Sequence, residues 1–564
     1  MLQDSDLISI QEVRSKVEQA YAAWGRYRTF SQEQIDTIIE AMAAAARSNA
    51  QRLAERAVEE TGYGNAPSKY AKNMLAAEIL PARMRGMRTT GILREIPEQG
   101  IVEIGTAMGV VAAILPTTNP TSTAIYKTLI SLKAGNAVVI SPHPRARACS
   151  CETAAILADA AYKAGAPEGL VGCLGGATIE GTNALMRHAR TAVILSTGGS
   201  GIVRAAYSSG TPAYGVGPGN VPVLVDTSAD IATAVGGVIE GKSFDYGTLC
   251  SSEQTLVAER SSRDRILAEL KSQKAFLCDA AQTKALEKLL IGRNFGINPE
   301  CVGQSPQKIA QMAGFEVPPE TSIIAAEIGG IGKAHPLSAE KLSPVLSLYF
   351  VDDFSAALDA CEAVLQFGGL GHTCGIYAKD DSRIRAYAMR MPAFRVVANT
   401  PTPKGSTGIS TNVFPAMTLG CGAVAGNSTS DNVSPMHLVN VKRLAYPKTE
   451  EVRRQESGVR SQESGVPDRG EIVAAVERFL AKRGSWRGLE PAASASADVS
   501  KPVSAASADE LKPVSVVDFV CEDDVRRAIK DSKKIFIGPK TIVTPSARDL
   551  ANHNDDVLVL TSRK

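Results

Sequence analysis

Three cysteines lie in glycine-rich stretches, a setting that leaves a thiol accessible for chemistry. Cys250 lies in FDYGTLCSSEQ, Cys374 in GHTCG and Cys421 in LGCGA. A thiolate is a strong nucleophile, and covalent catalysis needs one that a substrate can reach. The alternative for any one of them is a small hydrophobic residue of the core. The spacing alone does not choose among the three.

Two polar side chains are candidates to assist such a nucleophile. Asn119 lies in LPTTNPTSTAIYK, just after an apolar run that predicts a strand over residues 108–115. An amide at a strand end can donate to a developing oxyanion, and the alternative is a turn asparagine beside proline. His372 lies in GLGHTCG and is a candidate acid or base near neutral pH. Its alternative is a structural or solvated loop histidine.

A third motif, LSTGGSGIVRAA, predicts a strand followed by a glycine-rich turn and a helix. Gly198, Gly199 and Gly201 would let the backbone approach a phosphate at the amino end of that helix. The motif is not GxGxxG, and an ordinary glycine-rich turn between strand and helix is an equal alternative.

These motifs depend on an alternation of buried strands and helices. The runs GVVAAILP, AVVISP, TAVILST and PVLVD are each followed by a turn and then by a helical pattern. Such alternation indicates βαβ units and a parallel sheet that is covered on both faces. Ligands bind at the carboxyl ends of the strands in open α/β sheets, which is where Pro, Ser, Thr, Gly and Asn follow the first three runs.

Composition narrows the class of protein. The chain has 564 residues, 44% of them hydrophobic, with 61 Lys and Arg against 59 Asp and Glu. This balance does not favour a nucleic-acid or membrane-surface binder. No CxxC pair occurs among the ten cysteines, so we predict no structural zinc site. The sequence also predicts no signal peptide and no transmembrane helix, and hence a cytoplasmic protein with reduced thiols.

The composition changes near residue 446. Segment 447–470 carries the tandem repeat RQESGV/RSQESGV, and segment 485–515 is rich in Ala, Ser, Pro and charge. Both compositions predict linkers. Between them, residues 471–484 place five apolar side chains on one face of a helix, Ile472, Val473, Val476, Phe479 and Leu480. Residues 516–564 have a short β/α pattern that is typical of a small module.

Taken in order, nine motifs resemble the CoA-acylating aldehyde dehydrogenases, including those of bacterial microcompartments. They are PTTNPTS, SPHPRA, TGGSGIV, GVGPGNVP, GTLCSSEQ, EKLSPVL, GLGHT, VVANTP and TLGCGAVAGNSTSDNV. The resemblance covers about residues 10–446 and implies an α/β aldehyde dehydrogenase fold. It implies a Rossmann-like NAD domain over 1–236, a catalytic α/β domain over 237–425 and a bridging segment over 426–446 that pairs protomers. A homo-oligomer, either a dimer or a tetramer, is expected.

The same resemblance implies roles for single residues. Cys250 matches the nucleophile and Asn119 the oxyanion-hole amide, while His372 is a candidate base for CoA. Glu340, four residues before Pro344, matches the carboxylate that binds the nicotinamide ribose. The other positions implied to bind NAD are Pro116, Thr117, Ser141, Pro142, His143, Thr197, Gly198, Ser200, Gly201 and Gly217. Ser141 stands where hydrolytic relatives usually have a Lys, which leaves the choice between NAD and NADP open.

One departure from the hydrolytic enzymes indicates the product. They carry a Glu that activates water, and Val216 of GVGPGN stands at that position. Without this base an acyl-enzyme thioester should survive until the CoA thiol attacks it. The resemblance therefore implies oxidation of a short-chain aldehyde to acyl-CoA. The alternatives are a hydrolytic enzyme, a semialdehyde or sulfoacetaldehyde substrate, and a scaffold protein without activity.

The tail also carries a resemblance. The helix predicted over 471–484, between two linkers, resembles the peptides that target enzymes to microcompartment shells. KTIVTPSARDL is similar to a stretch of other microcompartment-associated proteins. Together they imply shell or core proteins as partners, through 471–484 or through 516–564, and a location in a microcompartment lumen. The alternative for the helix is a subunit-packing element.

Overall fold

The computed structural model describes residues 4–292, 296–448, 517–531, 533–544, 547, 550–551 and 557–560. The chain divides into two units, Met1–Gly465 and Val466–Lys564. The predicted helix 471–484, the linker 485–515 and nearly all of the linker 447–470 lie outside the described residues. Within the described part, no helix is both long enough and apolar enough to span a bilayer.

The helices of the first unit are α1 (Ser5–Tyr27), α2 (Gln32–Thr61), α3 (Ala66–Met74), α4 (Leu80–Met84), α5 (Pro120–Lys133), α6 (Arg147–Lys163), α7 (Ile179–Arg187), α8 (Ser200–Tyr207), α9 (Ile231–Ser243), α10 (Arg263–Ser272), α11 (Ala280–Leu290), α12 (Pro306–Ala313), α13 (Phe354–Gly368), α14 (Asp381–Arg390) and α15 (Thr402–Ser406). Their ends follow local rules. The α2 helix begins after Ser31, which forms a capping box with Gln34, and ends at Gly62 in the left-handed region with φ 69°.

The strands of the first unit are β1 (Gly91–Ile96), β2 (Ile101–Ala107), β3 (Val110–Ile114), β4 (Ala137–Ser141), β5 (Val171–Cys173), β6 (Thr191–Thr197), β7 (Ala213–Val216), β8 (Val221–Val225), β9 (Glu253–Glu259), β10 (Ala275–Leu277), β11 (Ile323–Glu327), β12 (Val345–Val351), β13 (Gly371–Tyr377), β14 (Ala393–Ala398) and β15 (Val439–Ala445). They form three sheets.

The first sheet has five parallel strands in the order β5-β4-β3-β6-β7. Every residue of β3 and β4 is buried, as is every residue of α5, which packs against both strands. The predicted parallel sheet with helices on its faces is confirmed. Its strand order reverses beside β3, so a crevice opens between the carboxyl ends of β3 and β6.

The second sheet has seven parallel strands in the order β10-β11-β12-β9-β8-β13-β14. Strand β8 belongs to this sheet, because it pairs with β9 and β13. The domain boundary at residue 236 stays a prediction. It falls inside α9, whereas the chain passes from one sheet to the other between Val216 and Val221.

The third sheet is antiparallel and has the order β1-β2-β15. The bridging segment predicted over 426–446 supplies only β15. Its partner β2 comes from the region assigned to the NAD domain, because seven consecutive residues of β15 pair with β2. The bridging sheet is thus built from two distant parts of the chain.

The second unit contains β16 (Val517–Val520), α16 (Glu522–Lys530), β17 (Ile535–Val543) and β18 (Leu558–Leu560). The three strands form a parallel sheet with β17 in the centre. Val520, Val525 and Ala547 are buried in a small core. The short β/α pattern predicted for 516–564 is confirmed in the residues that are described.

Candidate active site

A cavity of about 880 Å³ lies between the first two sheets. The first sheet contributes residues that follow β3, β4 and β6. The second contributes residues that precede β8, β9, β12 and β13, at the amino ends of its strands. Among the predicted site residues, those that line the cavity are Pro116, Thr117, Asn119, Ser141, Pro142, His143, Thr197, Gly198, Ser200, Gly201, Gly217, Cys250 and Glu340.

Of the three candidate cysteines, Cys250 is the one that lines this cavity. Its side chain is half-buried, whereas Cys374 and Cys421 are buried in the protein core. Cys250 follows a tight turn in which Asp245 and Tyr246 have positive φ values of 49° and 52°. Non-glycine residues rarely adopt this conformation, and it is concentrated at functional sites. The turn presents the thiol to the cavity just before β9.

The thiol of Cys250 is protonated in the resting site. Burial raises its pKa to about 12, and the neighbouring Glu340 carboxylate acts in the same direction. The guanidinium of Arg395 opposes this shift. The nucleophile must therefore lose its proton as it attacks, and the state of Glu340 affects how readily it does so.

Asn119 lies at the amino end of α5, in the turn that leaves β3. It is 8% exposed and faces the same cavity as Cys250. Its Oδ1 accepts from Nζ of Lys72 at 2.5 Å, and its Nδ2 donates to Oγ1 of Thr118 at 3.0 Å. An amide held by two partners has a fixed orientation, as an oxyanion donor requires.

The glycine-rich turn between β6 and α8 fits a pyrophosphate. A Cβ added at Gly199, Gly201 or Gly217 would meet nothing within 4 Å, so the space beside these glycines is not filled by protein atoms. No side chain caps the amino end of α8, so the N–H groups of its first turn have no side-chain acceptor. Open space, free donors and a positive helix dipole are the features that bind a dinucleotide phosphate.

The end of β4 is more closed than the resemblance implies. Ser141 is 1% exposed, and its hydroxyl hydrogen-bonds that of Thr182 at 2.8 Å. Next to it, burial and the charge of Arg145 lower the pKa of His143. His143 Nδ1 accepts the Arg145 N–H at 3.1 Å. This edge offers a neutral imidazole and no carboxylate to an adenosine ribose.

Glu340 lies in the loop before β12 and is 7% exposed. Its Oε1 accepts the N–H of Gly219 at 3.2 Å. Burial raises the pKa of this carboxyl to about 8, although the Gly219 N–H and Lys242 partly offset the shift. The group is thus mainly neutral at pH 7 and titrates just above it.

Glu340→Gln is expected to make Cys250 more reactive at alkaline pH. The Glu340 carboxyl becomes negative above about pH 8 and then opposes thiolate formation, whereas the amide stays neutral. Alkylation of Cys250 by iodoacetamide should be faster in the variant at about pH 9 and equal to the parent at about pH 6. Peptide mass spectrometry measures the rate at which Cys250 is alkylated. Exposed Glu327→Gln is the control, and equal rates at both pH values would contradict the coupling.

His372 lies outside the lining of the cavity. It is fully buried in β13, and its ring lies so close to Gly219 that an added Cβ would come within 2.9 Å of it. Nδ1 hydrogen-bonds Oγ1 of Thr373 at 2.9 Å, and burial lowers the pKa of the ring to about 3. The structure does not place the imidazole where a CoA thiol in the cavity would reach it directly.

Sequence reasoning missed a buried ionic cluster behind the site. Lys69, Lys72 and Asp245 are each no more than 2% exposed, and both ammonium groups contact the Asp245 carboxylate. The signal was present in the sequence. SKYAKNM places two lysines three residues apart on one face of α3, where an amphipathic helix would bury them.

Comparison with known proteins places this site in a family. Residues 4–278 match the aldehyde dehydrogenase family. The chain is 35% identical over 442 residues to the acetylating succinate-semialdehyde dehydrogenase of Clostridium kluyveri, covering 78% of this chain and 96% of the relative. It is 41% identical over 442 residues to the bifunctional aldehyde-alcohol dehydrogenase of Escherichia coli, covering 78% of this chain and 50% of that relative. The chain thus spans about half the length of the bifunctional relatives.

Solved structures agree with this placement. An acetylating aldehyde dehydrogenase of Geobacillus thermoglucosidasius has a TM-score of 0.78 and 48% identity, over 79% of this chain and 98% of that one. A propionaldehyde dehydrogenase of Rhodopseudomonas palustris, solved with CoA and an acylated cysteine, has a TM-score of 0.70 and 28% identity, over 77% and 97%. The chain belongs to the aldehyde dehydrogenase family. The predicted fold is confirmed.

Proposed function

We propose that this protein oxidises a short-chain aldehyde to acyl-CoA, with NAD and CoA, through a thioester on Cys250. One observation carries the proposal. A single cavity brings together a thiol, a fixed amide and an open glycine-rich turn, and Val216 also lines it. By the resemblance, Val216 stands at the position of the base of hydrolytic enzymes. Val216 ends β7 and is 2% exposed.

Most of the residues that fit NAD follow strands of the first sheet, and Glu340 precedes a strand of the second. The glycine-rich turn at Gly199 and Gly201 would hold the pyrophosphate, and Ser141 to His143 would face the adenosine. Glu340 would face the nicotinamide ribose. When bound there, NAD supplies the hydride acceptor for the aldehyde. Because no carboxylate stands at the end of β4, the cavity gives NADP no charge repulsion at the ribose.

The chain's own residues carry the remaining chemistry. Cys250 Sγ releases its proton to solvent and bonds to the aldehyde carbon, while the Asn119 amide donates to the oxygen that becomes negative. A preorganised donor of this kind typically contributes about 2.7–4 kcal/mol to a barrier. Once the carbon is oxidised, the acyl group remains on sulfur as a thioester. The CoA thiol then displaces Cys250, which recovers its proton.

The relatives support acylation over hydrolysis. Two of them are described as acetylating or acylating enzymes, for succinate semialdehyde and for sulfoacetaldehyde. Another was solved with CoA and an acylated cysteine. Val216 supports the same conclusion, because an isopropyl side chain cannot deprotonate water.

The cavity favours an uncharged aldehyde such as acetaldehyde or propionaldehyde. Among the described residues that line it, none is Lys or Arg. Succinate semialdehyde and sulfoacetaldehyde carry a negative charge, which is costly to bury without a cationic partner. The test is the initial rate of NADH formation across an aldehyde series, with and without CoA. The highest kcat/KM should be for an uncharged substrate with CoA, and a scaffold protein would form no NADH.

We further propose that the segment after residue 446 directs the enzyme to a bacterial microcompartment. The support is the apolar face predicted over 471–484 and the resemblance to targeting peptides. A solved relative, a propionaldehyde dehydrogenase of Clostridium phytofermentans, comes from a fucose-utilisation microcompartment. Shell or core proteins are the proposed partners, and the enzyme itself is proposed to be a dimer or tetramer.

Truncation after Pro447 is expected to leave catalysis intact and to abolish recovery with shell proteins. The site residues all precede this point. Burying Ile472, Val476, Phe479 and Leu480 would contribute ~1.5–3 kcal/mol each before ordering costs. Phe479→Glu with Leu480→Glu should act like the truncation, because an unpaired charge resists burial.

The measurement uses reporter fusions that are co-expressed with shell proteins, followed by purification of the compartments. If the double variant is recovered as well as the intact chain, 471–484 is not the targeting element. Residues 516–564 then become the next candidate.

A further inference from the structure

The buried ionic cluster reaches the active site through one contact. Lys72 is 1% exposed, and its Nζ touches two groups, Oδ1 of Asn119 at 2.5 Å and Oδ2 of Asp245. Lys69, three residues earlier on α3, also contacts Asp245, at 3.1 Å. Its second contact is the carbonyl oxygen of Thr118 at 2.9 Å, which is backbone and cannot turn. Lys72 alone of the two holds the amide.

The chemistry of this contact fixes the orientation of the Asn119 side chain. An ammonium group has only donors, so it can face the amide oxygen but not the amide nitrogen. Nδ2 must then face the other way. One of its hydrogens is used by Oγ1 of Thr118, and the second remains for a ligand. Without Lys72, the two orientations of the amide would be closer in energy.

Asp245 ties this arrangement to the nucleophile. It lies five residues before Cys250, in the turn with positive φ, and is fully buried. Its carboxylate accepts from Lys69, Lys72, the Asn65 N–H at 2.9 Å and the Thr248 hydroxyl at 2.6 Å. Thr248 itself lines the cavity.

Glycine at position 64 makes this arrangement possible. A Cβ there would lie 1.9 Å from Oδ1 of Asp245, and φ is 73°. The Asp245 carboxylate therefore joins the Cys250 turn to α3 directly. It joins the Asn119 turn through the two lysines of α3.

We propose that Lys72 is a positioning residue of the oxyanion site: held by Asp245, it orients the Asn119 amide so that an N–H faces the oxygen of the aldehyde that Cys250 attacks. The inference rests on the proposed function. Lys72 acts through Asn119: among the described residues its Nζ forms no hydrogen bond with Cys250, although the charges of Lys72 and Cys250 attract each other. Burial lowers the pKa of Lys72 to about 7 against the charge of Asp245. In the ammonium form, Lys72 also polarises the amide, which strengthens the bond that this N–H donates to an oxyanion.

A double-mutant cycle tests this role in the full-length enzyme. Asn119→Ala should lower kcat by about 10²–10³. Lys72→Met should lower kcat by roughly 10², the effect of a misplaced group, with little change in the KM for NAD. If Lys72 acts through the amide, adding Lys72→Met to the Asn119→Ala variant should lower kcat by no more than about threefold further. A residue with a merely structural role would give the same factor in both backgrounds.

Lys69→Met is the matched control, because it removes the other ammonium from the same carboxylate and leaves the amide contact in place. Its effect should multiply with that of Asn119→Ala. Lys72→Met alone leaves the buried Asp245 carboxylate with one cation, which could prevent folding. In that case Lys72→Met is combined with Asp245→Asn, which removes the buried negative charge as well, and the same cycle with Asn119→Ala is measured.

Two results would overturn the inference. One is a kcat within about twofold of the parent for Lys72→Met, and the other is an equal loss in both backgrounds. An intact parent enzyme that forms no acyl-CoA would overturn the proposed function, and the inference with it.

Discussion

Cys250→Ala is expected to lower the rate of NADH formation by at least about 10⁴-fold while NAD still binds. Cys250 is the candidate cysteine that faces the cavity, and covalent catalysis has no substitute for its sulfur. The glycine-rich turn lies on the other sheet and does not contact the changed side chain. Steady-state rates measure the loss, and quenching of protein fluorescence on titration with NAD measures the retained binding.

Cys278→Ala is the matched control for this prediction. Cys278 is also half-buried, but it follows β10 and does not line the cavity. Its loss should leave most of the activity. Turnover by Cys250→Ala within about tenfold of the parent would show that another group carries the acyl chain.

Omission of CoA is expected to stop the enzyme after one turnover. NADH should form at no more than about one equivalent per active site, because the thioester persists on Cys250. Val216 cannot activate water, and the Glu340 carboxyl is mainly protonated at pH 7. Rapid mixing with excess aldehyde and NAD gives the stoichiometry, and addition of CoA should restart turnover.

Sustained release of free acid without CoA, at a rate near the CoA-dependent one, would contradict this prediction. It would show that a water-activating base exists in the site. The same assay with Cys250→Ala should give no burst at all, which separates the acylated enzyme from a background reaction.

Much of the fold follows from the sequence because its signals are local. The buried strands β3, β4 and β6 are continuous apolar runs, and a parallel sheet with covered faces is what such runs build. The residues after those strands meet at one edge for the same reason. Asn119 and the glycine-rich turn were found in this way, and the structure places both in the cavity.

The second half of the site could not be found by that rule. Cys250 and Glu340 precede their strands β9 and β12, so they lie at the amino ends of a parallel sheet. The rule that ligands bind at carboxyl ends does not point to them. The resemblance to a known family supplied Glu340 and chose Cys250 among the three cysteines. The burial of His372 behind Gly219 depends on packing, which no local pattern shows.

The sheet to which β8 belongs could not be predicted from the sequence for a similar reason. In the sequence, β8 is an apolar run like those of β3, β4 and β6. Only its pairing with β9 and β13 assigns it to the second sheet. The Lys72 and Asp245 pair is likewise a long-range contact. No local pattern shows that two residues so far apart in the chain share a hydrogen bond.

The most direct test of the account is the mass of the peptide that contains Cys250, after the enzyme is mixed with NAD and propionaldehyde without CoA. The account predicts that this peptide gains the mass of a propionyl group on the cysteine. It also predicts that CoA then removes the group as propionyl-CoA. An unmodified Cys250 peptide, with NADH and free propionate both formed in excess over enzyme, would contradict it.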